Sequence, residues 1–160
     1  MDQLKLEKVL FIPTGNPRYR HPALASGEHR LAMLRLALAG EPRFAVDERE
    51  LRAGSSGYTV DTVSGLKKDF PDGRFTLLLG ADQYARLETW HRWRELSALA
   101  EIAVFPRPRS QISGKARKIE MKPLNISASD IRARVGRGED ISALVPAAVA
   151  DYVKRHALYR

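Results

Sequence analysis

The run Phe75-Thr76-Leu77-Leu78-Leu79-Gly80-Ala81-Asp82 limits the possible folds of this chain more than any other stretch. Its first five residues are apolar or β-branched, too few and too uniform for an amphipathic helix. They predict a strand buried on both faces, as in a parallel sheet. The strand ends at Gly80, where the backbone can turn tightly and a ligand can come close. Asp82 follows, and a few residues on stand two tryptophans, a histidine and an arginine in Trp90-His91-Arg92-Trp93. The carboxyl edge of a parallel sheet is where α/β proteins bind ligands.

Other short apolar runs repeat the strand signal. They are Val9-Leu10-Phe11-Ile12 before Pro13, Phe44-Ala45-Val46, and Ile102-Ala103-Val104-Phe105 before Pro106. Lys118 to Lys122 alternates like a half-exposed edge strand. Between these lie helical patterns. One is capped by Ser26 and buries Leu31, Met33, Leu34 and Leu38 before Gly40. Another has Thr59 as N-cap, Asp61 in its first turn, and a stripe of Val60, Val63, Leu66 and Phe70. Further helices are expected from Trp93 to Ala100, from Ser129 to Gly136, and from Pro146 to near His156. Met1 to Lys8 reads as the tail of a helix. Alternating strands and helices predict an α/β, Rossmann-like, doubly wound and mostly parallel sheet with helices on both faces. No repeat or linker divides residues 1–160, so a single domain is expected.

Composition narrows the function classes. The chain has no cysteine, which excludes disulfides, thiolate metal sites and thiol nucleophiles. No apolar run approaches the roughly 20 residues needed to cross a bilayer, and the expected address is cytoplasmic. A net charge of +8 and a pI near 10.0 suggest an anionic partner, either nucleic acid or a small molecule with several phosphates. Much of the excess falls in two groups. The first is Arg107, Arg109, Lys115, Arg117, Lys118 and Lys122; the second is Arg132, Arg134 and Arg137. A generally basic, soluble surface would give the same charge. The loop from Thr14 to Ala25, with Arg18, Arg20 and His21, can likewise be read as a phosphate contact or as solvated chain.

Two motifs carry chemistry. Beside Gly80, Asp82 can accept hydrogen bonds from ribose or other substrate hydroxyls, and Trp90 can stack on a planar ring. Core packing is the competing reading of both tryptophans, and Trp93, beside Leu96 and Leu99, fits it better. In Ile126-Ser127-Ala128-Ser129-Asp130-Ile131-Arg132, two hydroxyls stand where a helix begins, with free N–H groups and the positive end of the helix dipole. Arg132 lies three residues beyond Ser129 and returns to the same face. A capped surface helix with exposed arginines would look the same.

Taken in order, several segments resemble bacterial nicotinate-nucleotide adenylyltransferases: Gly57-Tyr58-Thr59-Val60-Asp61-Thr62, Leu79-Gly80-Ala81-Asp82, Thr89-Trp90-His91-Arg92-Trp93 and Ile126-Ser127-x-Ser129-x-x-Arg132. Val9 to Pro17, Glu28 to Met33 and Phe44 to Leu51 are similar to the same family, so the resemblance spans nearly the whole chain. The Ile-Ser-x-Ser/Thr-x-x-Arg signature belongs to the wider nucleotidyltransferase superfamily; the Gly-x-Asp to Trp-His-Arg-Trp segment favours the nicotinate branch. The resemblance implies that Tyr58, Thr59, Asp82 and Trp90 hold nicotinate mononucleotide. It implies that Ile126, Ser127, Ser129 and Arg132 hold ATP, with Mg²⁺ neutralising phosphate charge. The implied reaction gives deamido-NAD and pyrophosphate, by positioning and electrostatics without a covalent protein intermediate.

Two departures from the family pattern stand out. Pro17-Arg18-Tyr19-Arg20-His21 replaces a proline-proline-histidine-basic loop. The family's opening strand, its Gly-Thr-Phe-Asp-Pro-like loop and its His-x-Gly-His motif have no counterpart. The four histidines, 21, 29, 91 and 156, include no pair with that spacing. The expectation is therefore an N-terminally incomplete domain whose true start lies upstream, with little or no adenylyltransferase activity as written. The alternatives are a non-catalytic remnant that still binds ligand or a partner, and a basic nucleic-acid-binding module. Salt-dependent oligonucleotide binding without mononucleotide binding would favour the latter.

Overall fold

The computed structural model describes residues 1–15, 23–106, 114, 116–122 and 126–160. Arg18, Arg20, His21, Arg107, Arg109 and Lys115 lie outside these. The chain divides into two compact units, Met1–Gly57 with Ile126–Arg160, and Tyr58–Asn125.

In the first unit, β1 (Val9–Phe11) and β2 (Phe44–Val46) pair in parallel with Val9 opposite Phe44. The rings of Phe11 and Phe44 meet edge to face at 5.2 Å. Helix α1 (Gly27–Leu38) starts as its sequence predicts, with Ser26 Oγ accepting from the His29 N–H at 3.2 Å. Helices α5 (Ala128–Gly136) and α6 (Ala147–Arg155) complete the unit. Its core is Ile141, Val149 and Val153, against which Met33, Leu36, Ile131, Val135 and Leu158 pack. Met1 to Lys8 is not the tail of an α-helix. It forms one 3-10 turn over Asp2–Leu4, ended by Lys5 in the left-handed region. So short a segment buries no residue to offset the cost of helix nucleation.

In the second unit, β3 (Thr76–Gly80), β4 (Glu101–Phe105) and β5 (Arg117–Lys118) form a parallel sheet in the order β3-β4-β5. The edge strand expected from Lys118 to Lys122 is thus shorter and begins one residue earlier, because it pairs only with Ala103 and Val104. Helices α2 (Thr59–Asp69), α3 (Ala81–Tyr84) and α4 (Trp93–Leu99) accompany the sheet. The core joins Val60 and Val63 of α2, Leu79 of β3, Leu87, Leu96 of α4 and Ala100. All the strand pairs among the described residues are parallel, as expected, although they run in two sheets. No helix among the described residues is long and apolar enough to cross a membrane.

Two local features behind β1 and β2 yield predictions. Gly15 passes so close to the 48–51 turn that a Cβ on it would lie 1.8 Å from the Glu50 carbonyl oxygen. Backbone cannot give way as a flexible side chain can. Gly15→Ala is expected to lower stability by about 1–3 kcal/mol, the usual scale of overpacking, measurable by urea denaturation. After β2, Asp47 accepts from the backbone N–H and the Nε of Arg49, each at 2.9 Å. Partial burial pushes the Asp47 carboxyl upward, but hydrogen bonds from Arg49 and the charges of Arg49 and Arg52 hold it below its ordinary value. A depressed carboxyl stabilises the fold above its unfolded-state pKa, and that share is lost as pH falls through the lower folded value. Melting temperatures of the unsubstituted protein and Asp47→Asn should therefore differ at neutral pH and converge below about pH 4.

Candidate active site

Helix α2 begins with Tyr58 at its N-cap position and Thr59 as its first residue. The sequence places the cap one residue later, on Thr59, because threonine is the better capping residue. In the structure the cap makes no side-chain hydrogen bond. Both Tyr58 and Thr59 are half-buried, and Val60 behind them is fully buried, anchoring the helix start. Strand β3 delivers Gly80 and then the short α3, whose first turn carries Asp82 exposed to solvent. The amide of Gln83 donates to Asp82 Oδ2 at 3.1 Å.

The two tryptophans differ from expectation. Trp90 packs against the core cluster of Val60, Leu79 and Leu96, as do Tyr58 and Tyr84. Trp93, the better core candidate by sequence, is half-buried outside that cluster, with the Arg94 guanidinium 4.9 Å from its ring centre. Trp93 opens α4 itself, whereas Trp90 sits on the turn before it, and side-chain direction there follows from the turn.

His91 and Arg92, to which sequence reasoning gives no role, tie this region together. The His91 ring stacks on Tyr58 with centroids 4.1 Å apart and planes 27° from parallel. Arg92 Nη1 donates to Asp61 Oδ1 of α2 at 3.0 Å, and Nε donates to Glu95 Oε2 of α4 at 2.9 Å. The hydrogen bond to Glu95, with the charges of Glu95 and Asp61, holds the guanidinium pKa above its usual value against some desolvation. Arg92 also adopts φ 51°, ψ 41° at the N-cap of α4, a conformation that costs a non-glycine residue about 1–2 kcal/mol.

In the first unit, Ser127 stands at the N-cap of α5 with extended backbone and makes no side-chain capping bond. Arg132 Nη2 donates to Ser129 Oγ at 3.2 Å, so the two share a face as their spacing predicts. Arg134 and Arg137 are occupied differently. Arg134 Nε donates to Asp130 at 2.9 Å, and Arg137 pairs with Glu139, whose carboxyl it holds below the ordinary range. Ile126 is exposed just ahead of the helix. Burial raises the Tyr159 hydroxyl above its ordinary pKa, while the charges of Arg132 and Arg30 oppose this. The helix start therefore presents the N–H groups of its first turn, the Ser127 and Ser129 hydroxyls, and Arg132 beside Ser129. This is an arrangement suited to phosphate.

A family model described as cytidylyltransferase-like matches residues 1–134. The chain is 41% identical to a probable nicotinate-nucleotide adenylyltransferase of Laribacter hongkongensis, over 99% of this chain and 84% of the relative. It is 40% identical to a probable nicotinate-nucleotide adenylyltransferase of Bordetella petrii, over 99% of this chain and 86% of the relative. The chain belongs to the nicotinate-nucleotide adenylyltransferase family. Its fold is similar to that of Plasmodium falciparum nicotinic acid mononucleotide adenylyltransferase complexed with NaAD. That match has TM-score 0.77 and 18% identity, over 96% of this chain and 82% of the other. The same enzyme complexed with APC matches with TM-score 0.74.

The residues singled out by sequence fall in two groups. Tyr58, Thr59, Asp82 and Trp90 fall in the second unit, and Ile126, Ser127, Ser129 and Arg132 in the first. Trp90, His91 and Arg92 join the 3-10 turn over Leu87–Thr89 to the start of α4, and this short stretch carries the Tyr58–His91 stack and the Arg92 ion pairs. The only signal in the sequence for those contacts is the crowding of polar and aromatic side chains into four consecutive positions.

Proposed function

We propose that this chain binds nicotinate mononucleotide through Tyr58, Thr59, Asp82 and Trp90, and ATP through Ile126, Ser127, Ser129 and Arg132. The product pair is deamido-NAD and pyrophosphate. The observation that carries the reading is the aromatic and acidic edge beyond β3. There Trp90 and Tyr58 share one packed base, and Asp82 stays open to solvent. Trp90 offers its ring to the pyridine, and Asp82 accepts from ribose hydroxyls. At α5, the helix N–H groups and the Ser127 and Ser129 hydroxyls donate to ATP phosphates while Arg132 offsets their charge.

An oxygen of the mononucleotide phosphate attacks the α-phosphorus of ATP in line. The bond from that phosphorus to the oxygen bridging the β-phosphate breaks, and pyrophosphate leaves with the electron pair. Both substrates supply the reacting groups, so the protein's part is to align them and to favour the charge that develops. Mg²⁺ would enter with ATP, as part of that substrate. The described residues hold no group of three or more carboxylate, imidazole or thiol ligands that could keep a metal by themselves. When present, the ion lowers the charge of the leaving pyrophosphate. A cytoplasmic setting suits both soluble substrates.

The test is chromatography of ATP and nicotinate mononucleotide incubated with the protein, alongside tryptophan fluorescence during titration of each substrate. Saturable binding of both, with deamido-NAD and pyrophosphate formed in equal amounts, is the expected result. Binding of neither substrate would overturn the reading. Binding of both without any product would leave a ligand-binding remnant in place of an enzyme.

A further inference from the structure

We propose that Arg92 is a positioning residue for the mononucleotide half of the site, holding the turn that carries Trp90 in register with the helix start that carries Tyr58 and Thr59. The inference rests on the reading above and adds to it a residue that touches no substrate.

Three observations lead there. First, Arg92 joins carboxylates of two different helices, Asp61 in the first turn of α2 and Glu95 in the first turn of α4. Asp61 stands two residues after Thr59 and three after Tyr58, and Arg92 two after Trp90. The bridge therefore spans the short distance between the two aromatic elements of the site. Second, Arg92 adopts a left-handed backbone at φ 51° without the glycine or asparagine that usually occupies it. Such a residue persists only where its surroundings determine it, and here the guanidinium bonds on both sides do so. Third, the neighbouring His91 stacks on Tyr58, so the same turn is held to α2 at a second point.

The ion pairs themselves are weak candidates for a stabilising role. The side chains of Arg92, Asp61 and Glu95 are 46%, 41% and 44% exposed, and pairs so open to solvent contribute little to stability. What they supply is direction. A forked guanidinium bound on two sides fixes the orientation of its own backbone more tightly than a lysine could. A ring that stacks on Trp90 and is contacted from α2 needs the two elements held at one spacing before it arrives. Order already present in the free protein need not be supplied by the ligand on binding.

The experiment is titration of nicotinate mononucleotide, and separately of ATP, into the unsubstituted protein, Arg92→Gly, Arg92→Lys, Asp61→Asn and the Arg92→Gly/Asp61→Asn pair, with melting temperatures recorded. Glycine relieves the left-handed backbone while removing both ion pairs, so the melting temperature should move little. The mononucleotide dissociation constant should rise about tenfold, with ATP affinity unchanged. Asp61→Asn should weaken the mononucleotide in the same direction, and the double substitution should add little to Arg92→Gly alone. Arg92→Lys should recover only part of the affinity. Were Arg92→Gly not to fold, Asp61→Asn, which leaves the Arg92 backbone untouched, carries the same expectation. Unchanged mononucleotide affinity in these variants would overturn the proposal and leave the substrate reading intact. Equal losses for mononucleotide and ATP would also overturn it, since they indicate general destabilisation. Absence of mononucleotide binding in the unsubstituted protein would overturn the substrate reading, and the proposal with it.

Discussion

Leu96→Ala is expected to destabilise the Tyr58–Asn125 unit by about 2–5 kcal/mol, the range for truncating a buried leucine. Leu96 is 1% exposed and projects from α4 into the cluster of Val60, Val63, Leu79 and Leu87. Truncation removes contacts with α2 and the sheet together and leaves a cavity that neither side is free to fill, because Val60 and Val104 are themselves fully buried. Urea denaturation followed by tryptophan fluorescence reads the effect directly, since Trp90 packs on the same cluster. A midpoint within experimental error of the unsubstituted protein would contradict this account of the core. Leu24, by contrast, is 79% exposed, and Leu24→Ala serves as the control with little expected change.

The second large effect concerns the ligand. Trp90→Ala should weaken nicotinate mononucleotide roughly tenfold to hundredfold, in line with the 1–3 kcal/mol that aromatic–base stacking contributes. Because Trp90 also covers the core, some stability is expected to go with it, and Trp90→Phe separates the two roles. Phenylalanine keeps an apolar ring against the core cluster while presenting a smaller face to the pyridine. Trp90→Phe should therefore recover most of the stability and only part of the affinity. Calorimetric titration with the mononucleotide, beside thermal melting of both variants, checks the separation. If the alanine variant bound as tightly as the unsubstituted protein, Trp90 would be a core residue and nothing more.

Much of this was legible before the structure. Leu77-Leu78-Leu79 and Ile102-Ala103-Val104-Phe105 are short apolar runs bounded by glycine, proline or polar residues, and such runs have few alternatives to the buried parallel strands they form. Ser26, Ser127 and Pro146 mark helix starts that the structure contains; at Ser26 the cause is a local side-chain cap, while Ser127 and Pro146 stand at the N-cap without one. Errors arose where the outcome depends on distant partners. Lys118 to Lys122 alternates throughout, yet strand pairing stops at Lys118, since β4 alone supplies the partner. Met1 to Lys8 has helix-forming residues but too little burial to sustain a helix. Which tryptophan faces the core was set by the 3-10 turn over Leu87–Thr89, a feature that residue spacing does not reveal. The left-handed backbone of Arg92 was hidden for a related reason, since one of the two carboxylates its side chain meets stands thirty-one positions away.

The site follows the same division. The Ser129–Arg132 contact was readable from helical periodicity, because residues three apart share a face. The difference between Arg132 and its neighbours was not, since it depends on Asp130 and Glu139 engaging Arg134 and Arg137. The Tyr58–His91 stack joins residues far apart in sequence and had no periodic signal at all.

In the function proposed above, two separate sets of residues serve two substrates, the aromatic edge beyond β3 for the mononucleotide and the start of α5 for ATP. Calorimetric titration of nicotinate mononucleotide into the unsubstituted protein and into Arg132→Ala tests it most directly. Saturable binding with the same affinity in both is expected, with weaker ATP binding only in the variant. No mononucleotide binding to the unsubstituted protein, or its loss in Arg132→Ala with the fold intact, would contradict it.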